Sequence, residues 1–130
     1  MQRTATERQA LVKSAVAIER ERGFRSRFVV RRGNTHHFVH VDEIDWIDAA
    51  DNYLQLHAAK RIHLWRGTMK QAEDELDPAR FMRVHRSAIV AAERIQSVTS
   101  LDGSIVLSLR DGQTLRVSRQ YADRIRALLA

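Results

Sequence analysis

Three short polar segments of the sequence carry side chains that can recognise a nucleic acid. They are Asp51-Asn52-Tyr53, His85-Arg86-Ser87 and Ser118-Arg119-Gln120-Tyr121, and each lies at the end of a predicted strand. Arginine can bond to guanine O6 and N7 and asparagine to adenine N6 and N7, while serine, tyrosine and glutamine reach phosphates. Loops on a rigid sheet present such groups well. The residue types therefore favour a nucleic-acid interface, with the last segment also opening a helix whose free N–H groups attract phosphate.

The segment His36-His37-Phe38-Val39-His40 is the strongest candidate for metal binding. In a strand, His36 and His40 lie on one face and His37 on the other, so this segment supplies at most two converging ligands. The chain has no cysteine to provide another. We therefore expect solvent-exposed imidazoles in a surface hairpin, and no metal or other cofactor.

Signatures of catalysis are weak in this sequence. His85 and Ser87 lie side by side on an extended segment, but no Gly-x-Ser-x-Gly elbow or evident orienting carboxylate accompanies them. The acidic cluster Asp42, Glu43, Asp45, Asp48 and Asp51 lacks the pattern of a calcium-binding loop, which favours a solvated edge. The 5 glycines are too well separated to form a phosphate-binding loop. We expect that the protein is not an enzyme.

Size and composition indicate one small globular domain. The chain has 130 residues, of which 44% are hydrophobic and 29% charged, which is close to the average for globular proteins. No apolar run approaches the ~20 residues of a membrane span, and the first residues lack the features of a signal peptide. With no cysteine present, these observations predict a cytoplasmic location and no membrane partner.

Positive charge is concentrated in the C-terminal half. The whole chain has 22 Lys and Arg against 16 Asp and Glu, a net +6. Residues 27–79 contain seven basic and nine acidic residues, a net −2, whereas residues 80–130 contain nine arginines against four acidic residues, a net +5. If the protein binds a polyanion, the C-terminal half should provide most of the surface.

The hydrophobic pattern predicts a mostly β domain with peripheral helices. Thr6-Glu7-Arg8-Gln9 fits a capping box for a helix over residues 6–22, and residues 1–26 read as an N-terminal helix or linker before a domain over residues 27–130. A short helix should begin at the cap Thr68 and end near Leu76, and Ser118 should cap a last helix through Leu129. The predicted strands, joined mostly by tight turns, are 28–30, 37–41, 44–48, 53–57, 61–65, 81–84, 88–90, 94–99, 105–109 and 114–117.

Three blocks of the sequence resemble the LytTR family of bacterial DNA-binding output domains. The run from Phe81 to Val90, which contains Val84-His85-Arg86-Ser87, closely resembles the hallmark segment of that family. The block from Val41 to Leu54 is similar to its first conserved block, and Leu115-Arg116-Val117-Ser118-Arg119-Gln120-Tyr121 to its closing motif. The resemblance covers about residues 27–126, in matching order and spacing.

The resemblance implies a compact, elongated arrangement of short antiparallel sheets that binds specific double-stranded DNA. In the family, loops enter successive major grooves, usually at paired direct repeats, and bend the duplex. Carried over to this chain, the base-contacting positions are the turn at Asn52 and Tyr53, Arg86, and Arg119 beside Ser118. His85 is either a phosphate contact or, in the reading we prefer, a hydrogen-bonded imidazole that ties its loop to the sheet.

The resemblance also implies partners, and this chain differs from the family at one position. LytTR domains often follow a phosphorylated receiver domain, so a receiver or another regulatory partner and a homodimer on DNA are expected. Where the family commonly has Asn followed by an apolar residue, this chain has Ala91 and Ala92. An Asn there could bond neighbouring backbone or support a contact loop and Ala can do neither, so the sequence leaves the geometry after Arg86 undetermined. Two alternatives stay open: a protein-interaction or dimerisation module that touches DNA incidentally, and ion pairing of Arg86 and Arg119 with the acidic cluster.

Overall fold

The computed structural model describes residues 23–130, which contain ten β-strands and two α-helices. The predicted helix over residues 6–22 lies outside the described residues. All ten predicted strand segments are present and the mostly β class is confirmed. The elements are β1 (Arg27–Arg32), β2 (Thr35–His40), β3 (Ile44–Ala50), β4 (Tyr53–Ala58), β5 (Arg61–Arg66), α1 (Met69–Glu75), β6 (Phe81–His85), β7 (Ala88–Ala91), β8 (Ile95–Leu101), β9 (Ser104–Leu109), β10 (Thr114–Val117) and α2 (Ala122–Leu128).

The strands form three antiparallel sheets. β1 pairs with β2 in a hairpin, and β8, β9 and β10 form a meander. The central sheet has the order β5-β4-β3-β7-β6, so that β7 pairs with β3 although four other elements separate them in the chain. Most neighbouring strands are joined by the short turns that the sequence predicts, among them the Asp102-Gly103 turn, where both residues have positive φ.

The central sheet is buried on both faces at β3 and β7. Because successive residues of a strand point to opposite faces, Trp46 and Ile47 enter different cores, and so do Ile89 and Val90. One core lies against the β1–β2 hairpin and α1, and the other against β8–β10 and α2. Because β3 and β7 pack against a core on each face, they hold the three sheets together and support the turns of the central sheet.

Helix α1 begins as the sequence predicts. The Thr68 side chain accepts a hydrogen bond from the backbone N–H of Gln71 at 3.1 Å, which satisfies one free donor of the first turn. The helix ends at Glu75 with Leu76 as its C-cap, before the Asp77-Pro78 pair that prevents its continuation.

The prediction that Ser118 caps the last helix is wrong. The side chain of Ser118 makes no capping hydrogen bond, and its backbone N–H donates to the carbonyl of Val84 at 2.8 Å. Residues Arg119–Tyr121 form one turn of 3-10 helix, and α2 begins only at Ala122. The chain is still paired with β6 at Ser118, so the α-helix can begin only after the 3-10 turn.

Ala91 does not lie near Arg86. In the β6–β7 hairpin, Ala91 pairs with Phe81, at the opposite end from the turn that contains Arg86. Its side chain is buried in the core shared with the β1–β2 hairpin. Ala91 is therefore a core residue that does not contact the turn around Arg86.

Among residues 23–130, no helix combines the length and the apolar character needed to cross a lipid bilayer.

Candidate nucleic-acid interface

Two of the three predicted segments meet because β3 pairs with β7. The antiparallel pairing aligns Asp48 with Ala88, and the N–H of Ala49 donates to the carbonyl of Ser87 at 3.0 Å. The β3–β4 turn, which contains Asn52, therefore lies at the same end of the sheet as the β6–β7 turn, which contains Arg86. These turns are far apart in the sequence and adjacent in the fold.

The third segment joins the same end through β6. The hydrogen bond from the N–H of Ser118 to the carbonyl of Val84 brings the 3-10 turn Arg119–Tyr121 beside the last residues of β6. Residues 51–53, 85–87 and 118–121 thus form one surface, which we call the three-loop end. The structure brings all six predicted site residues to this end.

The four side chains with the strongest recognition chemistry are exposed. Asn52, Tyr53, Arg86 and Arg119 all face solvent, and Tyr53 has 42% of its surface accessible. The turn before Tyr53 is tight, because Asp51 adopts the left-handed conformation with a φ of 54°. Aspartate tolerates this conformation better than most residues.

His85 and Ser118 are half-buried and make local contacts. Nδ1 of His85 lies 2.9 Å from the hydroxyl oxygen of Ser87. The same nitrogen accepts a hydrogen bond from the backbone N–H of Ser87 at 3.2 Å. These contacts close the β6–β7 turn, which agrees with a positioning role for the imidazole. No carboxylate among residues 23–130 hydrogen-bonds to this ring, so a catalytic triad around Ser87 is not assembled there.

Neither Arg86 nor Arg119 forms an ion pair with any residue in the described part of the chain, and the alternative that pairs them with the acidic cluster is wrong there. Three carboxylates of the cluster have other partners: Asp42 contacts Arg80, Asp45 lies 3.2 Å from Arg94 and Asp48 lies 2.7 Å from His57. Burial raises the pKa of Asp45 and Arg94 opposes that rise. Arg86 and Arg119 therefore remain available for an external anion.

Sequence reasoning missed two arginines at this end. The register of β4 and β5 aligns Arg66 with Tyr53, which puts an exposed guanidinium beside the β3–β4 turn. Arg83 lies within β6, and its side chain bonds to the carbonyls of His85 and Arg86. A charged residue inside an otherwise apolar strand needs a partner, and that signal could have drawn attention to Arg83.

The histidine cluster is an exposed surface feature. His36, His37 and His40 lie on β2 and face solvent. Within residues 23–130, no three potential metal-binding side chains come close enough together to hold an ion.

Comparison with known proteins places the chain in a protein family. The profile of the LytTr DNA-binding domain matches residues 34–130. The chain is 30% identical over 100 residues to the CO-responsive transcriptional regulator RcoM of Rhodospirillum rubrum, covering 75% of this chain and 42% of that protein. It is 33% identical over 110 residues to the positive alginate biosynthesis regulatory protein of Pseudomonas aeruginosa, covering 82% of this chain and 44% of that protein. The chain thus spans less than half the length of these relatives.

A solved structure has the same fold. The LytTr DNA-binding domain of a putative methyl-accepting/DNA response regulator from Bacillus cereus superposes with a TM-score of 0.73. The match covers 82% of this chain and 98% of that one, at 23% sequence identity.

Proposed function

Since the chain belongs to the LytTr DNA-binding domain family, we propose that it binds specific double-stranded DNA as the output domain of a bacterial transcription regulator. The single observation that carries this proposal is the convergence of residues 51–53, 85–87 and 118–121 at one end of the molecule. Arg86 and Arg119, which have no ion-pair partner among residues 23–130, project there together with an exposed Asn–Tyr turn. Such groups read base edges in the major groove.

Each side chain of the three-loop end has a proposed role. Arg86 and Arg119 contact base edges, with guanine as the preferred partner of the guanidinium fork, and Asn52 contacts adenine. Tyr53, Ser118 and Arg66 bind phosphates and orient the domain on the duplex. His85 holds the β6–β7 turn through its contact with Ser87.

The loops enter successive major grooves, and binding occurs at paired direct repeats with bending of the duplex. Bending costs deformation energy, which is repaid by the additional contacts that a curved duplex makes with the protein. Two copies of the domain would occupy the two repeats and form a homodimer on DNA.

A regulatory partner accompanies this domain. The relatives are more than twice as long as the matched region, so a receiver or another sensing domain would control DNA binding in the whole regulator. Residues 1–26 would serve as the connection to it, with the DNA-binding domain over residues 27–130. The proposed activity is binding, with no catalytic step.

Site selection from random duplexes tests the proposal. Selected sequences should contain a recurring motif with fixed spacing between repeats. Affinity for the selected duplex should fall with salt with a slope of about −0.9 per neutralised phosphate. Failure to enrich any motif, together with no duplex binding at low salt, would contradict DNA recognition and favour the protein-interaction alternative.

A further inference from the structure

We infer that Arg83 is a positioning residue that holds two DNA-reading loops in one arrangement without contacting DNA itself. This inference rests on the proposed function. Only 14% of the Arg83 side chain is exposed, in contrast to the exposed Arg86 and Arg119. Its donors point into the protein, toward the turn that carries Arg86.

The guanidinium of Arg83 binds two successive carbonyls of the β6–β7 turn. Nε donates to the carbonyl of His85 at 3.1 Å, and Nη2 donates to the carbonyl of Arg86. A planar fork can satisfy both acceptors at once, whereas a lysine ammonium on a flexible stem cannot reproduce that geometry. Arg83 therefore fixes the backbone from which the Arg86 side chain projects.

The same side chain reaches the third loop. Cζ of Arg83 lies 5.8 Å from the centre of the Tyr121 ring, a cation–π distance. Tyr121 belongs to the 3-10 turn that begins at Arg119. One half-buried guanidinium thus contacts both the turn that presents Arg86 and the turn that presents Arg119.

Glu73 of helix α1 supplies a negative charge near the guanidinium of Arg83. Oε2 of Glu73 lies 3.6 Å from Nη1 of Arg83, and this buried oxygen has no hydrogen-bond partner among the described residues. A buried cation without a nearby anion would be costly. Glu73 therefore stabilises the arrangement from the opposite side, and α1 supports the three-loop end although it lies outside that end.

We expect Arg83 to increase DNA affinity by ordering the β6–β7 turn before the DNA binds. A turn that is ordered before binding does not lose conformational freedom on the DNA, so more of its contact energy appears as affinity. Because specific contacts need exact geometry and non-specific contacts do not, loosening the turn should reduce specific binding more than non-specific binding.

The experiment compares Arg83→Gln, Arg86→Gln and the control Lys70→Gln, each of which removes one positive charge. Lys70 lies on the exposed surface of α1, with 84% of its side chain accessible. Specific and non-specific dissociation constants are measured at several salt concentrations on a selected duplex. Arg83→Gln should weaken specific binding about tenfold or more and leave non-specific binding and the salt slope at the wild-type values. A phosphate contact would instead reduce the slope by about 1.

Two further variants separate positioning from charge and from misfolding. Arg83→Lys keeps the charge but loses the fork, so it should bind as weakly as Arg83→Gln. Glu73→Gln keeps the shape of the side chain and should cause a smaller specific loss of about two- to fivefold. In both Arg83 variants, hydrogen exchange of backbone amides in residues 85–87 and 119–121 should accelerate while the β8–β10 sheet stays protected.

The measurements distinguish failure of the positioning role of Arg83 from failure of the proposed DNA binding. Wild-type affinity and specificity in Arg83→Gln, full recovery in Arg83→Lys, or a salt slope reduced by about 1 would each overturn the positioning role. Absence of specific binding in the wild type would instead overturn the proposed function on which this role rests.

Discussion

Nδ1 of His63 lies 2.9 Å from the Arg32 guanidinium, and this contact connects the β1–β2 hairpin to β5, the edge strand of the central sheet. Arginine can only donate, so Nδ1 accepts and the bonded ring is neutral. Burial lowers the pKa of His63 from its ordinary value of 6.5, and the nearby Arg32, Arg61 and His37 lower it further.

The stability of the protein should therefore decrease as the pH falls through about 6.5. In that range the unfolded chain binds a proton at His63 more readily than the folded chain does, so acid favours unfolding. His63→Gln should flatten this part of the dependence of Tm on pH, measured between about pH 7.5 and 5.5. The control is His36→Gln, on the exposed surface of the hairpin. Superimposable pH profiles of the wild type and His63→Gln would contradict this assignment.

Gly67→Ala should destabilise the fold by about 1–3 kcal/mol because the site has no room for a methyl group. A Cβ at Gly67 would overlap the six-membered ring of the Trp65 indole. Trp65 is buried and packs edge-on against Phe28, with ring centres 4.9 Å apart. Chemical denaturation measures the change.

A double-mutant cycle with Trp65→Leu identifies the source of that cost. The smaller side chain makes room at position 67, so Gly67→Ala should cost less in the Trp65→Leu background, with a coupling energy of about 0.5–3 kcal/mol. Purely additive effects would show that the clash with the indole ring is not the cause.

Arg86→Ala and Arg119→Ala should each weaken specific DNA binding by about 1–3 kcal/mol and relax the base preference at one position of the site. Both side chains are exposed at the three-loop end, and neither is held by an ion pair in the described chain. Quantitative titration against a panel of single-base variants of the selected duplex measures both effects. Lys70→Ala is the control and should change neither. Unchanged affinity and base preference in both arginine variants would exclude the assigned interface.

Thr68→Ala should destabilise the protein by about 1 kcal/mol, since the N–H of Gln71 loses its capping acceptor. Thr68→Ser retains the hydroxyl and should stay close to the wild type in thermal unfolding. Equal losses in the two variants would mean that the methyl group, and not the cap, accounts for the effect.

Local structure was largely predictable from the sequence. The strands, the cap at Thr68 and the Asp51-Asn52 turn follow from hydrophobic alternation and turn chemistry, which depend on neighbouring residues. The start of the last helix was mispredicted, because the backbone of Ser118 is bonded to Val84, a partner that local patterns do not reveal.

Long-range relationships needed the tertiary structure. The sequence alone determined which residues end up in strands, which lie in turns and which turns carry recognition chemistry, because these properties are set within a few positions of the chain. Only the fold decided that β7 lies beside β3, that Arg83 joins two loops and that Arg80, Arg94 and His57 occupy the acidic cluster. These outcomes depend on the packing of residues that are distant in sequence, where the pairing of buried strand faces selects the partners.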